Sequence, residues 1–276
     1  MSWSTKKITD TAQSLVDARL KAEARNTFPG DIPPDLNTAY AVQSQAISKW
    51  PDQLVGLKVG GIPPHFRDQY PSEWLAGPVF KKNVYQYSSG VTLDFPVFQD
   101  GFAAFEPELI FEIDSDIYKS QDHWTPSLAK STIKHLYLGA EIAASPNINV
   151  NALGPGSIIS DFGNNGGCIL GRKLDASEID KALNLQVETI IDGQSVGVKS
   201  PATPPSGPLG ALSFLLNHFI KNANLYEKSE TLLVSSGAIT GVHESHAGAI
   251  ASMNYENQQD IVVRLADQKS IKFSIS

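Results

Sequence analysis

The sequence predicts an α+β fold: a mixed, β-rich body with a mainly helical N-terminal region and peripheral helices. Three observations lead there. Apolar residues recur at helical spacing through the first 50 positions, and short apolar or alternating segments bounded by Gly and Pro dominate from residue 54 onward. Two further helical patterns, near 128–136 and 208–219, interrupt those segments. Residues 1–75 read as the helical region and 76–276 as the β-rich domain, together one compact unit.

Thr9 or Asp10 caps the first helix, which turns Ala12, Leu15, Val16 and Leu20 to one buried face. Pro33-Pro34 breaks the chain, and a second helix carries Leu36, Ala39, Tyr40, Gln43 and Ile47 before Trp50-Pro51 stops it. Gln43 falls on the apolar stripe, where an unpartnered amide costs about 1–3 kcal/mol. Leu54 to Gly60 reads as a strand with Lys58 inside it. That lysine is either a solvated charge on an edge strand or a cation reaching a carboxylate cluster or an anionic substrate. Gly60-Gly61 lets a backbone or a ligand come close, and the proline-rich stretch from Ile62 to Pro71, with His65, is a loop able to cover a site.

Pro78 to Phe80 and Val91 to Phe98 are the next strands, the second feeding Phe105 to Ile113. In that extended segment Glu106 and Glu108 share a face, while Leu109 and Phe111 serve the other. Two carboxylates so placed need a divalent cation or a proton. Pro107 between them cannot donate to a ladder, which predicts an edge strand or a bulge. A helix carrying Leu128, Ile133 and Leu136 follows, and then a strand from Tyr137 to Ala143. Its Glu141 is either on an exposed face or in need of a cation.

Asn151 to Gly171 is glycine-rich but lacks Gly-Lys-Ser/Thr and a dinucleotide-spaced helix, so it reads as a loop packed against a ligand or a backbone, not a phosphate cradle. Leu185 to Ile191, the Asp192-Gly193 turn and Gln194 to Val198 form a hairpin. The rigid Pro201 to Pro208 loop enters a helix with Leu212, Leu215, Leu216 and Phe219 on one face. Thr231 to Ser236, Ala249 to Tyr255 and Asp260 to Leu265 are strands, with a fourth expected from Ser270. His243 and His246 have no third His or Cys nearby, so zinc is not expected there.

Composition excludes several classes. Hydrophobic residues at 41% and charged ones at 18% are globular proportions, which argues against disorder. A net charge of −7, with Lys81-Lys82 the best local basic pair, argues against a nucleic-acid partner. Cys168 is the only cysteine, so no intrachain disulfide forms, as suits a reducing compartment. Met1 to Asp10 lacks a signal-peptide core, and Leu209 to Ile220 is too short and too interrupted to span a bilayer. A soluble cytoplasmic protein with no membrane partner is expected.

Several motifs in order and spacing carry a resemblance. They are Ala39-Tyr-Ala-Val-Gln43, Val55-Gly-Leu-Lys-Val-Gly60, Phe105-Glu-Pro-Glu108, Ala140-Glu-Ile142, Asp161 to Gly171, the Pro208 helix and Ser236-Gly-Ala-Ile-Thr-Gly241. Together they make the chain similar to the 2-keto-4-pentenoate hydratase and 4-oxalocrotonate decarboxylase family, a divergent member of the fumarylacetoacetase-like superfamily. The resemblance implies a fumarylacetoacetase C-terminal-like fold, a homo-oligomer that can also assemble with a related lyase, and Mg²⁺ or Mn²⁺ held by Glu106, Glu108 and Glu141. It implies Lys58 as the catalytic residue, fixing the substrate carboxylate or shuttling a proton, and Gln43, Lys58, Asn165, Gly166 and Thr240 as substrate-binding residues. The chain departs from the family at Lys81-Lys82, where relatives carry an acidic pair, at Ala143-Ala144-Ser145 in place of an Asp-Ser-Arg-like run, and at Ala247-Gly248-Ala249 in place of Pro-Gly-Asp.

The leading expectation is thus a metal-dependent lyase of small 2-oxo acids, a hydratase of 2-hydroxydienoates in aromatic catabolism. Decarboxylation of a 4-oxalocrotonate-type acid comes next. Acylpyruvate hydrolysis lacks a His-Glu arrangement to activate water, His65 standing alone. A noncatalytic accessory subunit would explain the Lys81-Lys82 reversal but not three retained carboxylates and a lysine.

Overall fold

A computed structural model describes residues 3–114, 116–202, 206–222, 231–256 and 258–270. Its helices are α1 (Thr5–Leu20), α2 (Leu36–Lys49), α3 (Pro126–Lys130), α4 (Pro155–Ser160), α5 (Ile179–Ala182) and α6 (Gly207–Lys221). The strands of the first half are β1 (Leu54–Gly61), β2 (Trp74–Phe80), β3 (Val84–Gln86), β4 (Leu93–Val97), β5 (Phe102–Asp114) and β6 (Ile133–Ser145). Those of the second are β7 (Asn165–Asp175), β8 (Val187–Ile191), β9 (Gln194–Lys199), β10 (Thr231–Ser235), β11 (Glu244–Ser245), β12 (Ile250–Tyr255) and β13 (Gln258–Asp267). The fold is α+β, as expected.

Two sheets build the body. The larger runs β2-β1-β10-β5-β6-β7-β3, with β11 also on β5; the smaller runs β4-β13-β12-β8-β9. Helices α1 and α2 pack on each other, α4 sits against α2, and α6 lies beside α3 and touches β1 and β2. The residue-75 division falls inside β2, and β1, from the N-terminal side, pairs with both β2 and β10.

β5 organises the main core. Phe105, Leu109 and Phe111 are fully buried on one of its faces, together with Leu136, Leu138 and Ile142 of β6. Each such side chain contributes about 1.5–3 kcal/mol on burial. The opposite face carries Glu106 and Glu108, so the alternation read from sequence holds.

Several expectations are corrected. Helix α1 begins at Thr5, because Ser4 accepts the Lys7 N–H and caps it ahead of Thr9 and Asp10. Leu20, at its last turn, is 51% exposed and not on the buried face. The helix around Leu128 ends at Lys130; Ile133 and Leu136 belong to β6, and Leu128 faces solvent. The Val91–Phe98 strand, β4, pairs with β13 in the smaller sheet and does not adjoin β5.

Pro107 is not on an edge strand either, since β5 lies between β10 and β6. β10 pairs only as far as Ile110, and β11 begins at Ala104. The backbone of Pro107 faces the gap between them, where its carbonyl accepts the Ile239 N–H at 2.9 Å. A missing N–H on that side interrupts no strand ladder.

The hairpin is as read, with Asp192 at φ 49° and Gly193 at φ 78°, both in the left-handed region that a two-residue I′ turn demands. Helix α6 buries Leu212, Leu215, Leu216 and Phe219. Part of the 201–208 loop and the expected strand beyond Ser270 lie outside the described residues. Among the described residues, no helix is long and apolar enough to cross a membrane. Cys168 is buried and free.

Candidate metal centre and substrate cavity

Strand pairing places the charged residues. Glu106 of β5 stands directly opposite Glu141 of β6, and Glu108 follows two positions along on the same face. Lys58 of β1 pairs in register with Ser235 of β10, which pairs with Ile110 of β5, so its side chain shares that face. The three carboxylates can each offer one oxygen with all three oxygens within 4.8 Å of one another. Glu108 and Glu141 are fully buried, and Glu106 and Lys58 nearly so. The exposed readings of Lys58 and Glu141 are therefore excluded.

Two of the carboxylates share a pattern. Glu108 Oε2 accepts from Ser235 Oγ at 2.5 Å and from the Gly237 N–H at 2.9 Å, while its Oε1 is buried without a partner. Glu141 Oε1 accepts from Asn165 Nδ2 at 2.9 Å and lies 3.1 Å from Lys58 Nζ, while its Oε2 is likewise bare. Each side chain is gripped through one oxygen and presents the other. A buried acceptor left bare is costly, so the arrangement calls for a cation.

Electrostatics agree. Burial, with Glu141 adding to it, pushes the Glu106 carboxyl up to about 8, only partly offset by Lys58. Burial and then Glu141 and Glu106 push Glu108 well above the carboxylate range, against the pull of Ser235 and Gly237. Burial works to lower the Lys58 ammonium, but Glu141, Glu106 and Glu108 outweigh it and raise the group above its usual value. Three carboxylates and one ammonium leave a formal charge of about −2 when all are ionised, which a divalent cation complements. Without a cation, protons on Glu106 and Glu108 relieve the repulsion. The all-oxygen donor set with two bare oxygens fits a hard divalent ion.

A cavity of about 330 Å³ opens at this end of the sheet, with Glu106 on its wall beside Gly60, Arg67, Trp74, Ser236 and Ile239. Ser236 Oγ is buried there without a partner. The segment after β10 crosses the gap in the sheet, tied by Ser236 N to Leu109 O and Ile239 N to Pro107 O. Lys58 completes its ammonium bonding on Gly163 O at 2.9 Å and Asn164 Oδ1 at 3.2 Å.

The remaining expected substrate contacts fall elsewhere. Gln43 donates both amide hydrogens to backbone carbonyls, Ala76 O at 2.9 Å and Ile159 O at 2.8 Å, so it joins α2 to β2 and α4 and has none left for a substrate. Thr240 is turned from the cavity toward the smaller sheet, its hydroxyl 2.7 Å from that of Thr189 and 3.1 Å from His243 Nε2. Asn165 holds Glu141, and Gly166 lies on β7, where a Cβ would stand 2.8 Å from Ile142 O. Lys81 and Lys82 are exposed; their backbone N–H groups bond Gln53 O and the Asp52 carboxylate. His65 is exposed against Phe66, and His246 is exposed near Asp192.

Sequence reading missed Ser235, Asn164, Ser236 and the cavity residues Arg67 and Trp74. Ser235 and Ser236 end a strand in a Ser-Ser-Gly run, the one local signal that the chain turns there with hydroxyls to spare.

No family model and no curated protein matches the sequence. Solved structures do. 4-Oxalocrotonate decarboxylase from Pseudomonas putida G7 complexed with magnesium and adipate gives a TM-score of 0.75 at 16% identity, over 96% of this chain and 99% of that one. The same enzyme complexed with calcium and acetate gives 0.74 at 18% identity over the same shares. Fumarylpyruvate hydrolase from Pseudomonas aeruginosa, in complex with Mn²⁺ and pyruvate, gives 0.54 at 15% identity, over 78% of this chain and 90% of that one. The chain therefore has the fumarylacetoacetase-like fold of these structures.

Proposed function

We propose that this chain is a divergent member of the fumarylacetoacetase-like superfamily and a metal-dependent lyase of small 2-oxo acids, with Mg²⁺ or Mn²⁺ held by Glu106, Glu108 and Glu141. The observation that carries the reading is the pair of bare buried oxygens, Glu108 Oε1 and Glu141 Oε2, on side chains otherwise fixed through their second oxygen. A divalent ion held by these three carboxylates would supply Lewis-acid stabilisation of negative charge developing on a 2-oxo acid.

The chain's own residues supply the rest. Lys58 carries a proton at Nζ beside the triad and delivers it to the substrate after releasing one of its three partners. Ser236 offers its unpartnered hydroxyl to a substrate oxygen from the cavity wall. Trp74 and Ile239 give the cavity an apolar side that limits water.

Hydration of a 2-hydroxydienoate is the reaction the motifs favour. Decarboxylation is a second reading, favoured by a fold match to 4-oxalocrotonate decarboxylase that runs over 96% of the chain. A panel of 2-hydroxydienoates and 2-oxo acids with Mg²⁺, followed by ultraviolet absorbance and product mass, separates the two by gain of water or loss of CO₂. Turnover abolished by EDTA and restored by Mg²⁺ is expected. Turnover indifferent to EDTA, or none across the panel with metal bound, would overturn the lyase reading.

A further inference from the structure

Arg19 of α1 is 4% exposed, and its guanidinium reaches a segment 142 positions away. Nε donates to Asp161 Oδ1 at 2.5 Å, Nη1 to Asn165 O at 3.0 Å, and Nη2 to both Asp161 O at 3.0 Å and Ala144 O at 2.9 Å. The other Asp161 oxygen accepts from Ser145 Oγ at 2.5 Å, and Ser145 Oγ in turn accepts from the Asn147 N–H. The guanidinium also stands over the Phe162 ring at 5.2 Å.

Between the two clamped carbonyls the backbone is strained. Phe162, Gly163 and Asn164 all take positive φ, at 56°, 63° and 52°, and two of them are not glycine. Such a run persists only where its surroundings over-determine it. The turn is pressed on β2 so closely that a Cβ on Gly77 would lie 2.4 Å from Phe162 O. Further ties are Asn164 Nδ2 to Asn151 Oδ1 at 3.0 Å and the Phe162 ring edge-on to Trp50 and Phe80.

What the turn presents is the near half of the metal centre. Gly163 O and Asn164 Oδ1 hold the Lys58 ammonium, and Asn165 Nδ2 holds Glu141 Oε1, leaving Oε2 bare. One guanidinium thus staples the Asp161 and Asn165 carbonyls, which bracket the turn whose Gly163 and Asn164 hold Lys58, the second belonging to the residue whose side chain holds Glu141. A lysine could not do the same, since it lacks a planar fork able to bond diverging acceptors at once.

We propose that Arg19 is a positioning residue for the active site, its ion pair with Asp161 pinning the left-handed 162–164 turn that orients Lys58 and, through Asn165, Glu141. The α1 helix is then part of the catalytic scaffold. The inference deepens the metal-lyase reading and rests on it for its consequence in catalysis, but not for the stapling of the turn.

The test is the double variant R19M/D161N in the full chain, with R19K beside it. Removing both charges avoids an orphaned buried carboxylate, a change that many folds tolerate. Three quantities are read: the urea midpoint, hydrogen exchange of the backbone amides of 162–166, and Mn²⁺ affinity by calorimetry. Expected are a midpoint lowered by the carbonyls that lose Arg19, exchange at 162–166 faster by about tenfold beyond what that fall accounts for, and a Mn²⁺ Kd raised by about tenfold. If a substrate has been found, kcat falls with KM little changed. Unchanged exchange and affinity in a folded variant would overturn the proposal, as would losses that merely track a fall in the urea midpoint. Should the double variant not fold, the same readings on R19K decide. If the parent itself binds no Mn²⁺, the metal-lyase reading fails and the exchange measurement alone decides the role of Arg19.

Discussion

Replacing Glu108 by glutamine preserves volume and removes one charge from the triad. The amide oxygen can still accept from Ser235 Oγ and the Gly237 N–H, which now hold Oε2, so the NH₂ takes the place of the bare Oε1. A donor then faces the position where an anionic oxygen stood, and one of three carboxylates is lost. Partners that merely orient a ligand cost 10–100-fold in metal affinity, so loss of a ligand should cost at least about a hundredfold, about 3 kcal/mol. Stability should move the other way. Glu108 is fully buried, and burial together with Glu141 and Glu106 disfavours its ionised form, so the neutral amide relieves repulsion. In EDTA the variant should therefore melt at or above the parent. With Mn²⁺ at a hundred times Kd the parent gains about 2.7 kcal/mol, several degrees in Tm, and E108Q gains almost nothing. Calorimetry and thermal melts with and without metal read both effects. An E108Q protein that binds Mn²⁺ within threefold of the parent, or melts well below it in EDTA, would refute the reasoning.

Three further outcomes are expected. Because the folded Glu106 carboxyl is raised from 4.5 to about 8, the metal-free protein should be most stable below pH 4.5 as far as this group is concerned, and lose that contribution as pH rises through about 8. Urea midpoints in EDTA across that window, flat or rising, would contradict it. Lys58→Ala, read with Mn²⁺ present so that Glu141 keeps a cation, should lower kcat by about 10²–10⁴-fold while changing the urea midpoint far less, and equal loss of both would make the lysine structural. Ser235→Ala removes one of two donors on Glu108 Oε2 and should weaken Mn²⁺ binding about tenfold with the fold intact; calorimetry showing parental affinity would deny the serine that role.

Much of this was legible where a local rule met a strong pattern. The i, i+2 spacing of Glu106 and Glu108 put both on one face, and the Asp192-Gly193 turn and the α6 stripe were equally local. Two failures share a cause: polar groups answered from far along the chain. Gln43 was read as needing a partner and, from the resemblance, as a substrate contact, because its acceptors, Ala76 O and Ile159 O, lie 33 and 116 positions away. Arg19 gave no signal at all, its partner being on a segment that folds beside Ser145. Pro107 misled because the proline rule assumes a continuous neighbouring strand, whereas β10 and β11 leave a gap there. The run from Leu128 to Leu136 fitted helical spacing, yet Thr132 closes a short turn on Ala129 O and tertiary pairing with β5 takes Ile133 onward into a strand.

The claim on which the rest depends is that the triad exists to hold a divalent ion and not merely to share protons. Calorimetric titration of the metal-free parent with Mn²⁺ at pH 7, repeated in two buffers of different ionisation enthalpy, tests it directly. The account predicts one ion per chain and a buffer-dependent heat, because protons on Glu106 and Glu108 must leave as the metal enters. No binding at millimolar Mn²⁺, or binding unaffected by the buffer and retained in E108Q, would contradict it.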